Sequence, residues 1–241
     1  MGTDAPRLKG RVALIAGGTE GVGEGIVRAF LRLGAVVVVP STSAQELERL
    51  RDALQDVPTD DLVTIFGDVR QFGDAERIRE VLLRRVGRLD AVIASPCPWC
   101  PGQDLPRASL ETWDRALRDH VTAHVVVIHT FLPLLVTQRH GSYTMLRRTD
   151  AEGSFAGVGT SAITRSIQEM LVRLLVEELP HSQVRINEVT IYPASTHDRG
   201  DDAFATCVGT FTAWLALEEG ASVRGAVIRQ VPDGQRPNGG V

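Results

Sequence analysis

The residues Ala16-Gly17-Gly18-Thr19-Glu20-Gly21-Val22-Gly23 follow the apolar run Val12-Ala13-Leu14-Ile15 and lead into the amphipathic stretch Val22–Leu33. Glycines at this spacing let a backbone turn sharply after a strand and approach a pyrophosphate, while the first N–H groups of the next helix face the anion. That chemistry is phosphate binding. Chemistry that would act on a bound molecule is harder to find. Lys9 is the only lysine, and neither Tyr143 nor Tyr192, the only tyrosines, is followed four places on by a lysine. A tyrosine acid activated by a lysine one helical turn away is therefore excluded. Cys97-Pro98-Trp99-Cys100 spells C-x-x-C, but Pro101-Gly102 follows and reads as loop rather than the helix N-terminus that activates a thiolate, so free loop thiols are expected. His120 and His124 lie four apart and share a helix face, where a subunit contact is expected rather than a metal pair; no metal site is predicted. Ser161 with His120 supplies the types for a nucleophile and base, without an identifiable orienting acid.

These groups need a scaffold, and the chain spells one out. Short apolar runs at Val12–Ala16, Val36–Val39, Leu62–Phe66, Ala91–Ala94, Ser142–Leu146, Val184–Thr190 and Ala226–Val231 read as strands. Between them, Val22–Leu33, Ala44–Gln55, Asp74–Val86, Leu110–Val136, Ser161–Leu179 and Ala203–Glu219 read as helices. Fully apolar strands separated by helices predict a parallel sheet covered on both faces, and right-handed crossovers make it doubly wound. One α/β domain over residues 1–241 is expected, of about seven strands, with 235–241 as a polar Gly/Pro tail.

Composition narrows the function classes. A net charge of −4 argues against a nucleic-acid partner or an anionic membrane surface. No wholly apolar run of membrane-spanning length is read, and the N-terminus lacks a basic-then-apolar signal pattern. Three cysteines, an odd count, do not suggest a secreted disulfide framework, so a cytoplasmic location is expected. Of the 26 basic residues all but Lys9 are arginine, a bias that coding in a GC-rich genome explains.

From about Leu8 to Gly234 the chain resembles the short-chain dehydrogenase/reductase family. The marks are the Gly-rich turn with Ala16 in place of a threonine, Gly67-Asp68-Val69 after the third strand, and Arg88-Leu89-Asp90 before the fourth. Trp113-Asp114, Arg185-Ile186-Asn187 and the ending Arg224-Gly225-Ala226-Val227-Ile228 with Asp233-Gly234 complete the order. The resemblance implies a Rossmann-like fold and a dinucleotide held by Gly17, Thr19, Gly21, Val22, Gly23, Ser41, Thr42, Asp68, Val69 and Thr196.

The resemblance fails at the reacting groups. Counting without gaps from Asn187 puts Ser161 where the family has its catalytic tyrosine, Arg165 at its lysine and Arg148 at its serine; counting from Trp113 puts His120 at its asparagine. A serine hydroxyl is far less acidic than a phenol, and an arginine keeps its charge without delivering a proton near neutral pH. General acid catalysis contributes about 10²–10⁴-fold, so its loss alone abolishes useful ketone reduction. The family's Asn-Asn-Ala-Gly reads Ala94-Ser95-Pro96-Cys97, its Pro-Gly after strand six reads Ile191-Tyr192, and the segment from Thr196 to Trp214 is much shorter than its substrate lid.

Cofactor choice is weakly marked. Pro40-Ser41-Thr42-Ser43 carries no acid for a ribose 2′-hydroxyl, while Ser41 and Thr42 can donate to a 2′-phosphate that Glu20 would repel. The lean is to NADP over NAD. His120, Arg148 and Arg165 could form a cationic pocket for a small anionic ligand or substrate; the competing reading pairs the arginines with Asp150, Glu152 or Glu169. The apolar stripes His124–Ile128 and Leu171–Leu175 fall on the helices through which the family dimerises, so a homo-oligomer (dimer or tetramer) or a mixed oligomer with a family paralogue is expected. The leading functional expectation is a non-catalytic or regulatory paralogue, a pseudoenzyme. The alternatives are a lyase, cyclase or isomerase using the cationic pocket, and an NAD(P)-dependent carbonyl or alcohol oxidoreductase with an unusual acid.

Overall fold

A computed structural model describes residues 7–96, 102–148, 158–191 and 202–230. Its strands are β1 (Val12–Ala16), β2 (Val36–Ser41), β3 (Leu62–Phe66), β4 (Ala91–Ala94), β5 (Gly141–Arg148), β6 (Val184–Ile191) and β7 (Val227–Gln230). All pair in parallel, in the order β3-β2-β1-β4-β5-β6-β7. Every predicted strand is present. The helices are α1 (Val22–Arg32), α2 (Ala44–Ala53), α3 (Phe72–Val86), α4 (Leu110–Leu117), α5 (Ala123–Gln138), α6 (Gly159–Glu178) and α7 (Asp202–Ala216).

The pleat sends alternate residues to opposite helix layers. Ala13 and Ile15 of β1 pack with Ile26, Phe30, Val37, Val39 and Val208 on one side of the sheet. Val12, Leu14 and Ala16 pack on the other with Ile78, Leu82, Val127, Phe131 and Tyr143. The parallel sheet is thus buried on both faces, which is why its strands read as unbroken apolar runs.

Two predicted helices differ from what forms. The single helix expected over Leu110–Val136 contains a five-residue π turn, Arg118–Thr122, between α4 and α5, with His120 inside it. The wider turn re-aims the side chains it carries, a device that recurs at functional sites. The helix expected to run to Glu219 ends at Ala216, because Leu217 is extended (φ −81°, ψ 166°) and a short 3₁₀ turn follows at Glu218–Gly220.

Read as one helix, Leu110–Gln138 is long and apolar enough to cross a membrane, with a best-window mean hydropathy of 1.6. That rests on length and composition alone, a criterion the core helix of a globular domain also passes. In the fold it is a layer helix, with Val127, Phe131 and Leu135 fully buried against the sheet.

Candidate nucleotide-binding site

The chain runs from β1 outward to β2 and β3, then returns to β4 on the other side of β1. At such a switch point the loops diverge and leave a crevice at the carboxyl ends of the strands. Here that crevice is a cavity of about 550 Å³. The turn after β1 forms one wall: Gly17, Thr19, Gly21, Val22 and Gly23 all line it. Ser41 and Thr42 line it from the end of β2, and Asp68 and Val69 from the end of β3. Of the ten residues expected to hold a dinucleotide, only Thr196 lies outside the described residues, as do Cys97 and Cys100.

The turn has the shape its glycines allow. Gly17 adopts φ +86°, and a Cβ there would run into the carbonyl of Ser95. A Cβ on Gly23 would run into the carbonyl of Gly17. Gly21, the N-cap of α1, offers no side-chain cap, and the start of α1 lines the cavity at Gly21, Val22 and Gly23, with the Gly23 and Glu24 N–H groups turned back onto the Glu20 carbonyl at 3.1 and 3.4 Å. These features fit a pyrophosphate group.

A family model described as short chain dehydrogenase matches residues 11–202. The chain belongs to the short chain dehydrogenase family. It is 28% identical over 187 residues to cis-2,3-dihydrobiphenyl-2,3-diol dehydrogenase of Paraburkholderia xenovorans (strain LB400), covering 76% of this chain and 65% of that one, a little under two thirds of the relative's length. It is 28% identical over 216 residues to xanthoxin dehydrogenase of Arabidopsis thaliana, covering 82% and 73%. The crystal structure of levodione reductase superposes with a TM-score of 0.82 over 92% of this chain and 96% of that one at 16% identity, a likeness of fold.

The same cavity is lined by His120, Ser161 and Arg165, three of the four positions that counting from the sequence set against the family's reacting groups. Ser161 donates its hydroxyl hydrogen to the Val158 carbonyl at 3.0 Å and accepts from Arg165 Nη2 at 3.3 Å. It is therefore engaged away from His120, against the nucleophile-and-base reading. Gln168 Nε2 donates to the His120 carbonyl at 2.6 Å, occupying a backbone acceptor that faces this region. Burial holds His120 below the usual imidazole range, an effect that Asp119 opposes and Arg165 reinforces. His124 also lines the cavity but is fully buried, and burial pushes it down to about 3, so it stays neutral at any ordinary pH. Both histidines line the cavity, and His124 is buried within the chain, so it is not on a surface open to a subunit contact. Among the described residues no cluster could hold a metal ion.

The cationic pocket is built differently from expectation. Arg148 is the last residue of β5, and its side chain, like Asp150 and Glu152, lies outside the described residues. Its neighbour Arg147 lines the cavity. Arg147 Nε donates to Glu188 Oε1 at 2.5 Å and Nη2 donates to Thr190 at 3.0 Å, with Glu169 at 3.9 Å. Glu188 is wholly buried, so most of the Arg147 charge is neutralised by a carboxylate in the sheet. The competing reading, an arginine held by a carboxylate, thus applies to Arg147, with Glu188 as a partner the sequence did not suggest. Tyr143, the one tyrosine among the described residues, is fully buried in β5, and burial raises its phenol well above the ordinary range.

Sequence reasoning missed Glu46, Arg70, Arg147 and Gln168 in the cavity wall. Glu46 had a legible signal: Ser43-Ala44-Gln45-Glu46 is a capping-box pattern, which aims the glutamate back past the helix start. Ser43 does cap α2, accepting from the Glu46 N–H at 3.2 Å. Arg70 closes on Asp68, with Nε to Oδ1 at 2.8 Å and Nη2 to Oδ2 at 3.0 Å.

Proposed function

We propose that this chain binds a nicotinamide dinucleotide and does not transfer hydride by its family's acid/base route, serving as a non-catalytic or regulatory member. The single observation that carries the reading is the Ser161–Arg165 hydrogen bond at the cavity's far end, where a phenol and an ammonium would be needed. When bound, the cofactor would supply the hydride or its acceptor. The residues of this chain would hold the pyrophosphate at Gly17–Gly23, the adenosine near Asp68 and Val69, and Thr196 would meet the nicotinamide amide. The Ser161 hydroxyl and the Arg165 guanidinium are poor proton donors near neutral pH, and His124 stays neutral; His120 is the imidazole that remains beside them in the cavity.

The names of the relatives support an oxidoreductase as the outcome that would overturn this. The test is direct. Titrating NADH and NADPH by fluorescence is expected to give saturable binding. Incubating the complex with a panel of ketones and secondary alcohols is expected to leave the 340 nm absorbance unchanged. Sustained turnover with any of them would overturn the non-catalytic reading.

A second reading, non-redox chemistry on a small anion, is favoured by the proximity of Arg165 to His120, close enough to depress the imidazole. Self-association through α5 and α6, or pairing with a family paralogue, is part of the proposal; the exposed apolar residues Val125, Met170 and Leu174 support it. Mass photometry at nanomolar to micromolar concentrations checks it, a monomer throughout being the contrary result. A cytoplasmic setting is supported by the charge and cysteine usage.

A further inference from the structure

We infer that Glu46 is the specificity-determining residue for the dinucleotide, receiving the adenosine ribose hydroxyls and selecting NAD(H) over NADP(H). The inference rests on reading the cavity as a dinucleotide site. A pyrophosphate on the Gly17–Gly23 turn leads its adenosine ribose toward the end of β2, where the cavity wall is Pro40, Ser41, Thr42 and Glu46. No acid stands in β2 itself, but Glu46 delivers one from the first turn of α2. Ser41 Oγ donates to Glu46 Oε2 at 2.7 Å, and Thr19 Oγ1 approaches the same oxygen at 3.4 Å. Both contacts fall on Oε2, so among the described residues Oε1 accepts no hydrogen bond and is available to a ribose hydroxyl. Ser41 is fixed in turn, its oxygen accepting from the Ser43 N–H at 3.1 Å.

This arrangement reverses the lean to NADP. The Ser41 hydroxyl hydrogen, expected to meet a 2′-phosphate, is already given to a carboxylate. A 2′-phosphate would sit against Glu46 with Glu20 in the same wall. The arginine nearest the adenine end, Arg70, is drawn onto Asp68 by two hydrogen bonds. An acceptor carboxylate favours a neutral diol and disfavours a dianion at the same point.

Isothermal titration of the full chain with NADH, NADPH, ADP-ribose and 2′-phospho-ADP-ribose tests this without any turnover. The wild type is expected to bind NADH and ADP-ribose at least about tenfold more tightly than their 2′-phosphates. Glu46→Gln is expected to weaken NADH about tenfold and to leave NADPH unchanged or tighter, collapsing the preference. Ser41→Ala, which removes the hydroxyl that orients Glu46, moves the ratio the same way by a smaller factor, and decides the matter if Glu46→Gln does not fold by circular dichroism. Equal or tighter wild-type binding of the 2′-phosphates, or a ratio that neither substitution changes, overturns the role of Glu46 and leaves the dinucleotide reading standing. No binding of any of the four overturns both.

Discussion

The two ends of the cavity differ in what their polar groups leave unengaged. At the end where β1, β2 and β3 stop, the crowded glycines force the turn, Arg70 closes on Asp68, and Glu46, held by Ser41 and Thr19 through Oε2, keeps an Oε1 that accepts no hydrogen bond among the described residues. At the end where β5, β6 and α6 meet, polar groups are turned on each other. Ser161 meets Arg165 and Val158, Gln168 meets His120, and Arg147 meets Glu188 and Thr190. The second end keeps most of its hydrogen bonds inside the protein, with His124 Nδ1 and Glu188 Oε2 buried without a hydrogen-bond partner. The difference teaches that a binding site and a reacting site can part company within one crevice, because a hydrogen bond satisfied inside the protein is one not offered to a substrate.

The strongest way to break the comparison is at the turn. Gly17→Val puts a branched side chain at φ +86° against the Ser95 carbonyl. A loss of about 2–4 kcal/mol in urea unfolding and no detectable NADH binding are expected; a stable variant that still binds would show that the turn is not the cradle. Next is Arg147→Met, which removes the partner of the buried Glu188 and is expected to cost about 2–3 kcal/mol without abolishing NADH binding. Arg147→Met with Glu188→Leu should recover most of it, since the pair serves packing there. If the single variant is as stable as wild type, the far end is not the self-satisfied region described.

Acid titration gives a graded effect. His124 is held at about 3 in the fold and titrates near its ordinary value when unfolded, so the unfolded chain binds the extra proton as pH falls. Stability from this group is complete above about pH 6.5 and declines by up to about 1.4 kcal/mol per pH unit below it. Chemical denaturation at pH 7, 6 and 5 should show that slope in wild type and about one proton less in His124→Leu. The smallest effect belongs to Ser161→Ala, expected to change NADH affinity by less than about threefold, since its hydroxyl is occupied by Val158 and Arg165.

The sequence made the scaffold legible because its strands are buried on both faces and read as apolar runs, and because the turn needs its glycines. The resemblance's motif order places the cradle residues from Gly17 to Val69 together, and these residues do line one cavity. The π turn at His120 was not, because it interrupts a helix without changing its hydrophobic pattern. Glu188 was hidden inside the strand run Val184–Thr190, where a buried carboxylate looks like a solvent-facing one until its arginine is known. Glu46 was read as part of a helix start; only the fold brings Ser41 and Thr19 to it. Placing Arg148 at the cavity depends on counting alone, since its side chain lies outside the described residues, while Arg147 lines the wall without having been singled out in the sequence.

Hydride transfer in the loaded protein separates the two ends most directly. With NADH bound at saturation by its own fluorescence, absorbance at 340 nm is followed against a panel of ketones and quinones, then with NAD against secondary alcohols. Saturable binding with no turnover above the protein-free rate is the expected result. Turnover on the order of 1 s⁻¹ or faster, the range of working enzymes, that falls with Ser161→Ala or Arg165→Met would contradict the account and place a working acid at the far end.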